Sequence, residues 1–186
     1  MKKMSQRARV LTGAAAAAVL GAGTLGAVSA NAAAPATAAT APAKAADAAH
    51  GDLRQTTHLT VDAAVRAAQA ALDAAEDDNQ RVTVAVVDRN GTTLVTLRGD
   101  GAGPQSYDSA QRKAFTAVSW NAPTSELAKR LASAPNLKDI PGTLFLGGGA
   151  PVTAKGAPVA GIGVAGAPSG DLDEKYARAG VTALTR

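Results

Sequence analysis

Residues 82–97 read VTVAVVDRNGTTLVTL, two β-rich apolar runs on either side of a turn. Val82 to Val87 and Thr92 to Leu97 are rich in β-branched residues, and Asp88, Arg89, Asn90, Gly91 between them put glycine where a positive φ is tolerated. The pair predicts an antiparallel hairpin, because parallel neighbours need a crossover of a dozen or more residues. Upstream the period changes. Thr60 is a good N-cap, and Val61, Ala64, Val65, Ala68, Leu72 and Ala75 recur at three and four residues, predicting an amphipathic helix that ends around Glu76 to Asn79. Downstream, a Gly99 to Gly103 loop leads to a helix capped by Ser106 or Asp108 and carrying Tyr107, Ala110, Ala114, Ala117 and Val118. A shorter helix follows over Pro123 to Leu131. Thr143 to Leu146, Val152 to Ala154 and Val159 to Val164 predict three more strands, separated by Gly147, Gly148, Gly149 and by Lys155, Gly156; a last helix runs from near Asp171 to Leu184. The order α, β, β, α, α, β, β, β, α gives an α+β fold, a five-stranded antiparallel sheet with helices packed on it. A doubly wound nucleotide fold would need strands alternating with helices.

The first 32 residues concern location. Lys2, Lys3, Arg7 and Arg9 form a basic start, Val10 to Val28 is an alanine- and leucine-rich run broken by glycines, and Ala30, Asn31, Ala32 supply a small-residue cleavage point. This is the three-part pattern of a secretory signal peptide, cut after Ala32, so the expected location is secreted, extracellular, at or near the cell wall. Arg7 and Arg9 are separated by Ala8 and do not form a twin-arginine signal. Residues 33–52 are Ala, Pro, Thr and Gly with Lys44, Asp47, His50 and Asp52, too few large apolar groups to order themselves, and read as a flexible tether; residues 53–186 form the domain. Removing residues 1–32 leaves 15 basic against 15 acidic residues, because all four charges removed are basic. The net charge of +4 thus belongs to the precursor and gives no support to a nucleic-acid partner, which would need clustered Lys and Arg on the folded part.

Composition restricts the chemistry. There is no cysteine, so the core alone holds the fold, and thiolate nucleophiles, Fe–S ligation and thiol redox sensing are absent from this chain. Both methionines, Met1 and Met4, leave with the signal, and both histidines, His50 and His58, precede the first helix. A His, Met or Cys ligated haem inside the core and a Ser-His-Asp triad are therefore excluded. Oxygen and amine candidates remain at Tyr107, Tyr176, Lys113 and Thr116, and Arg112 with Lys113 offers an anion contact.

Several motifs have plainer readings. Gly161, Ile162, Gly163, Val164, Ala165, Gly166 spells a dinucleotide fingerprint, but only twenty residues follow and they make one helix, so the βαβ context is missing. Its better reading is a strand whose side-chain-free face lets a helix or a flat ligand approach closely. Gly147, Gly148, Gly149 lacks the ending of a phosphate loop and reads as a hairpin turn, and Arg98, Gly99, Asp100 as a turn. Asp171 with Glu174 is first a capping arrangement at the last helix, Asp171 accepting backbone N–H bonds and Glu174 reaching back, and second a hard-cation pair on one helix face. Glu76, Asp77 and Asp78 lie where the helix dipole opposes acids, so capping does not explain them.

The segments LTVDAAVRAAQAAL (59–72), VAVVDRNGTTLVTLRGDGAGPQSYDSAQRKAFTAVSWNAPTSELAKRL (84–131), GGGAPV (147–152) and GAPVAGIGVAGAPSGDLDEKYARAG (156–180) together resemble the GlcG/HbpS-type domain family, also labelled haem-degrading, over residues 55–186. The resemblance implies a profilin-like α/β/α sandwich and a homo-oligomer, an octamer in one branch. It also implies weak haem binding at an exposed site, iron binding, and service as the extracellular accessory of a membrane sensor histidine kinase in a two-component system under redox stress. It implies a threonine as haem ligand, with Thr116 as the counterpart and Thr143 as its competitor; Lys113, Arg112 and Tyr107, singled out above from the residues themselves, complete the candidate cofactor site. For iron it implies acidic spacing motifs, kept at Asp171 and Glu174; at Glu76 the third residue onward is Asn79, leaving Asp77 or Asp78 to compensate. Three functions then compete: a binding and signalling protein without catalytic residues, a haem-degrading or peroxidase-like enzyme, and a binding domain for another flat or anionic small molecule on the Gly161 and Gly163 face.

Overall fold

The computed structural model describes residues 45–185; the signal segment and residues 33–44 of the tether lie outside the described residues. Helix α1 (Val61–Asp77) starts where Thr60 caps it, its hydroxyl accepting from the Ala63 N–H at 3.2 Å. Strands β1 (Thr83–Asp88) and β2 (Thr93–Arg98) form the expected hairpin. Asp88 Oδ1 accepts from the Asn90 and Thr92 N–H groups, and Gly91 sits at φ +86°, the geometry the Asp-Arg-Asn-Gly turn calls for. Helix α2 (Gln105–Trp120) follows, then α3 (Thr124–Lys129) and a 3₁₀ turn at Arg130–Ala132. Strands β3 (Gly149–Ala154) and β4 (Ala157–Ala165) meet at the Lys155, Gly156 turn, and α4 (Gly170–Thr182) closes the domain.

The sheet is antiparallel throughout, in the order β2-β1-β4-β3, and it has four strands rather than the expected five. Thr143 to Leu146 is irregular backbone. The Leu144 N–H is taken by the Thr116 hydroxyl at 2.8 Å, and the Phe145 ring stands edge-on to Trp120 at 5.2 Å, so α2 captures this segment before the sheet edge can. The glycine run that follows is not a hairpin turn either. Gly149 already belongs to β3, and the Gly147 and Gly170 backbones lie so close that a Cβ on Gly147 would stand 3.0 Å from the Gly170 carbonyl carbon.

Period-two alternation divides the sheet between two helical layers. Val84, Val86, Ile162 and Val164 face α1 and α4, forming the main core with Ala64, Ala68, Ala71, Ala75, Tyr176 and Ala177. Thr83, Ala85 and Val87 face α2. Val61 and Val65 are not on the inner face of α1; they are 58% and 42% exposed, because the helix turns its alanines inward, where Gly180 of α4 leaves room for Ala67 and Ala71. Helix α2 also departs from expectation: neither Ser106 nor Asp108 caps it, and the Ser106 hydroxyl instead bonds the Gly103 carbonyl and Thr83.

The glycine face is used by a helix. Gly161 and Gly163 of β4 lie under α2, where a Cβ on either would stand 2.1 Å from a helix carbonyl oxygen, that of Ala114 or of Ala110. Ala110 and Ala114, one turn apart, complete a contact of helix backbone on strand backbone. Gly163→Ala is expected to lower stability by about 3 kcal/mol, since both colliding groups are backbone; urea unfolding measures it, and a loss within error of Ala160→Gly would show that α2 can ride outward.

Candidate functional site

The outer edge of α2, the β1–β2 turn and the loop at Gly142 enclose a surface groove of about 350 Å³, lined by Val87, Gly91, Thr93, Asp108, Gln111, Arg112, Phe115 and Gly142. Spacing places these helix residues together: Asp108, Gln111, Arg112 and Phe115 follow the three-and-four rule along one side of α2. Phe115 is the flat element. Its ring lies between two glycines in the left-handed region, Gly91 at φ +86° and Gly142 at φ +78°, and hypothetical Cβ atoms there would stand 2.8 and 3.6 Å from opposite edges of the ring. The absence of side chains at both positions keeps the half-buried ring accessible.

The charge in this groove is a single pair. Arg112 Nε meets Asp108 Oδ2 at 2.9 Å, one helical turn apart, and the two side chains are 50% and 67% exposed. Such a pair contributes about 0–1 kcal/mol, so the guanidinium changes partner at little cost. Flat apolar surface, an exchangeable guanidinium and the amide of Gln111 suit a planar ligand with an anionic edge.

Other residues singled out from the sequence lie elsewhere. Thr116 is fully buried behind the groove, its hydroxyl donating to the Arg112 carbonyl at 2.7 Å while accepting from Leu144. Thr143, adjacent to the groove through Gly142, donates to the Ile140 carbonyl and is 6% exposed. Tyr107 is exposed near the start of α2. Lys113 points the other way, into the protein, where Nζ donates to the Val164 carbonyl at 3.0 Å and to Asp173 at 2.7 Å. The structure therefore brings Arg112 and the backbone beside Thr143 to one groove, and sends Lys113 and Thr116 to structural tasks.

The acidic motifs serve packing. Ser169, not Asp171, caps α4, accepting from the Leu172 N–H at 3.2 Å. Glu174 does not reach back to the cap: it accepts from the Ser125 N–H and hydroxyl at 2.9 and 2.8 Å and from Arg178 at 2.7 Å. Burial pushes its carboxyl up, but these donors outweigh burial and hold it below the usual range. Asp171 is exposed and Glu174 buried, and among the described residues no group of three or more His, Cys, Asp or Glu could hold a metal ion. Glu76 and Asp77 are exposed. Asp78 accepts from Lys175 at 2.5 Å and from the Tyr176 hydroxyl at 2.9 Å, which lower its pKa and compensate an acid at a helix C-terminus. Burial and Asp78 push the Tyr176 hydroxyl up to about 12.

Sequence reasoning missed Phe115, Gly91 and Gly142 as site residues, and it also missed Asp173. With Lys113 it forms an ion pair only 5% and 3% exposed, and burial raises its carboxyl against the pull of Lys113 and the Ala167 N–H. Gly148, at φ +126°, makes the room: a Cβ there would stand 2.7 Å from Lys113 Nζ.

Two further depressions flank Pro151 on the β3 edge. One, about 440 Å³, has Arg178 as its only charged lining residue, already held by Glu174; the other, about 270 Å³, is mostly aliphatic with His58 at its margin. Among the described residues neither is lined by Phe, Tyr or Trp.

A family model described as haem degrading protein HbpS-like matches residues 59–182. The crystal structure of Streptomyces reticuli HbpS carrying two glutamate-to-aspartate substitutions is 80% identical, with a TM-score of 0.74, covering 76% of this chain and 97% of that one. A structure described as a PduOC:heme complex is 26% identical with a TM-score of 0.63, covering 68% and 95%. An uncharacterised 15.0 kDa protein from the dhaT-dhaS intergenic region of Citrobacter freundii is 32% identical over 118 residues, 61% of this chain and 83% of that protein.

The buried pair makes a sharp prediction. Lys113→Met leaves the Asp173 carboxylate unpaired and is expected to cost about 3 kcal/mol in denaturant unfolding, most of it recovered by adding Asp173→Leu. A double variant as unstable as the single one would show that Lys113 acts through packing alone.

Proposed function

The chain belongs to the HbpS-like family, and from that premise we propose that it is a secreted, oligomeric haem-binding protein that serves as the extracellular accessory sensor of a membrane histidine kinase in redox or haem stress. The observation that carries the reading is the Phe115 ring, cradled between Gly91 and Gly142 with Arg112 beside it. A porphyrin is a plane with two carboxylates on one edge. Phe115 offers it a stacking surface and Arg112 a partner for a carboxylate. The relatives support the same ligand, one being named in complex with haem and 26% identical to this chain. Bound haem supplies a redox-active iron, which a redox sensor requires.

An open, half-polar groove binds weakly and releases readily, as a sensing or buffering protein needs. Thr116, the implied ligand, reaches the groove only if the Thr143 to Leu146 segment gives up the Leu144 bond, while Thr143 directly follows Gly142 of the groove lining. Iron has to compete with Lys175 and Tyr176 for Asp78, and with Ser125 and Arg178 for Glu174. Val61 and Val65, exposed one turn apart on α1, give a homo-oligomer an apolar face.

Titration of the form beginning at Ala33 with haem, followed by an hour with ascorbate and oxygen, tests the reading. A stable Soret band is expected, with Phe115→Ala binding about tenfold more weakly, the equivalent of one aromatic contact. Loss of the band with release of iron would place the protein among haem-degrading enzymes, and absence of any band would leave the groove to another planar anion.

A further inference from the structure

We infer that Asp108 is a built-in competitor for Arg112 and thereby sets both the strength and the charge preference of ligand binding in the α2 groove. The inference rests on the haem reading above. Among the described residues Asp108 and Arg112 are the only charged ones lining the groove, and their charges cancel while they are paired. The pair uses Nε of the guanidinium, 2.9 Å from Asp108 Oδ2, leaving the Nη groups for a second acceptor.

A ligand carboxylate can engage Arg112 in two ways, each with a physical consequence. It can share the guanidinium with Asp108, placing two carboxylates on one cation, or it can displace Asp108. Displacement is favoured by position: Asp108 lies in the first turn of α2, where the helix dipole stabilises an acid that has lost its side-chain partner. Arg112, a turn further on, has no such compensation and follows the incoming anion. Either way the ligand must overcome Asp108, so the pair acts as a brake on anionic ligands and leaves neutral planar ones untouched. Asp108 then lowers haem affinity further in a groove whose openness already keeps it weak.

The gate is testable on the full secreted form. Asp108→Asn leaves the groove with one unopposed cation and is expected to bind haem three- to tenfold more tightly, with a steeper dependence on salt. Arg112→Gln is expected to weaken haem binding, and Asp108→Asn combined with Arg112→Gln is expected to match Arg112→Gln alone, since Asp108 acts only through Arg112. Haem dimethyl ester, whose propionates are neutral, is expected to bind wild type and Asp108→Asn equally. Circular dichroism establishes that each variant is folded. Unchanged or weaker haem binding by Asp108→Asn, or a gain that persists with the ester, would overturn the gate. Phe115→Ala separates the two levels of the argument: if it binds haem like wild type, the groove itself is wrong and the gate falls with it, whereas loss in Phe115→Ala with no gain in Asp108→Asn removes the gate alone.

Discussion

Helix α2 rests on strand β4 with no side chain between them. At Gly161 and Gly163 the gap leaves no room for a methyl group, and the helix answers with Ala110 and Ala114. This close approach fixes the height of α2 above the sheet to within a fraction of an ångström, because both partners are backbone. Everything on α2 inherits that height. The Phe115 ring meets the β1–β2 turn because the helix is low enough for it, and Gly91 in that turn is the residue that lets the ring in. Lys113 reaches the Val164 carbonyl and Asp173 for the same reason.

Buried polar groups fasten the layers around this contact. Lys113 and Asp173 tie α2 to α4, Glu174 ties α4 to the start of α3, and the Thr124 hydroxyl accepts from the Gly149 N–H at 2.7 Å to tie α3 to β3. Among the described residues no buried side-chain nitrogen or oxygen lacks a partner. Satisfaction matters more here than attraction, since a buried ion pair gains little over an apolar one but costs heavily when half of it is removed. The same economy explains why Asp78 and Glu174, which look like metal ligands in the sequence, are occupied by lysine, arginine, serine and tyrosine in the fold. It also separates the two sides of α2: the inner side, with Lys113 and Thr116, is committed to structure, and the outer side, with Asp108, Arg112 and Phe115, is free to meet a ligand.

What the sequence made legible was local. The Asp-Arg-Asn-Gly turn, the Thr60 cap, the Lys155, Gly156 turn and the close approach at Gly161 and Gly163 are each written in a few consecutive residues, and each is found in the structure. What it hid depends on partners far along the chain. Thr143 to Leu146 has the composition of a strand, but a hydroxyl 28 residues earlier claims its backbone. Asp173 reads as part of a helix start, while its partner lies 60 residues away. Val61 and Val65 fit the apolar period, yet alanines that could pack more tightly took the inner face. The groove shows the same limit: Arg112 and Thr143 were named from separate arguments, but Phe115, Gly91 and Gly142 acquire meaning only when three distant segments meet.

On the proposed function, a planar anionic ligand docks on the outer edge of α2. Ferric haem is paramagnetic and broadens amide signals close to it, so the amide spectrum of the isotopically labelled protein, recorded with increasing haem, maps the site without a variant. Docking there is expected to broaden Gly91, Arg112, Phe115 and Gly142 first. Broadening that begins instead at His58, Val152 and Val181, along the β3 edge, would contradict it.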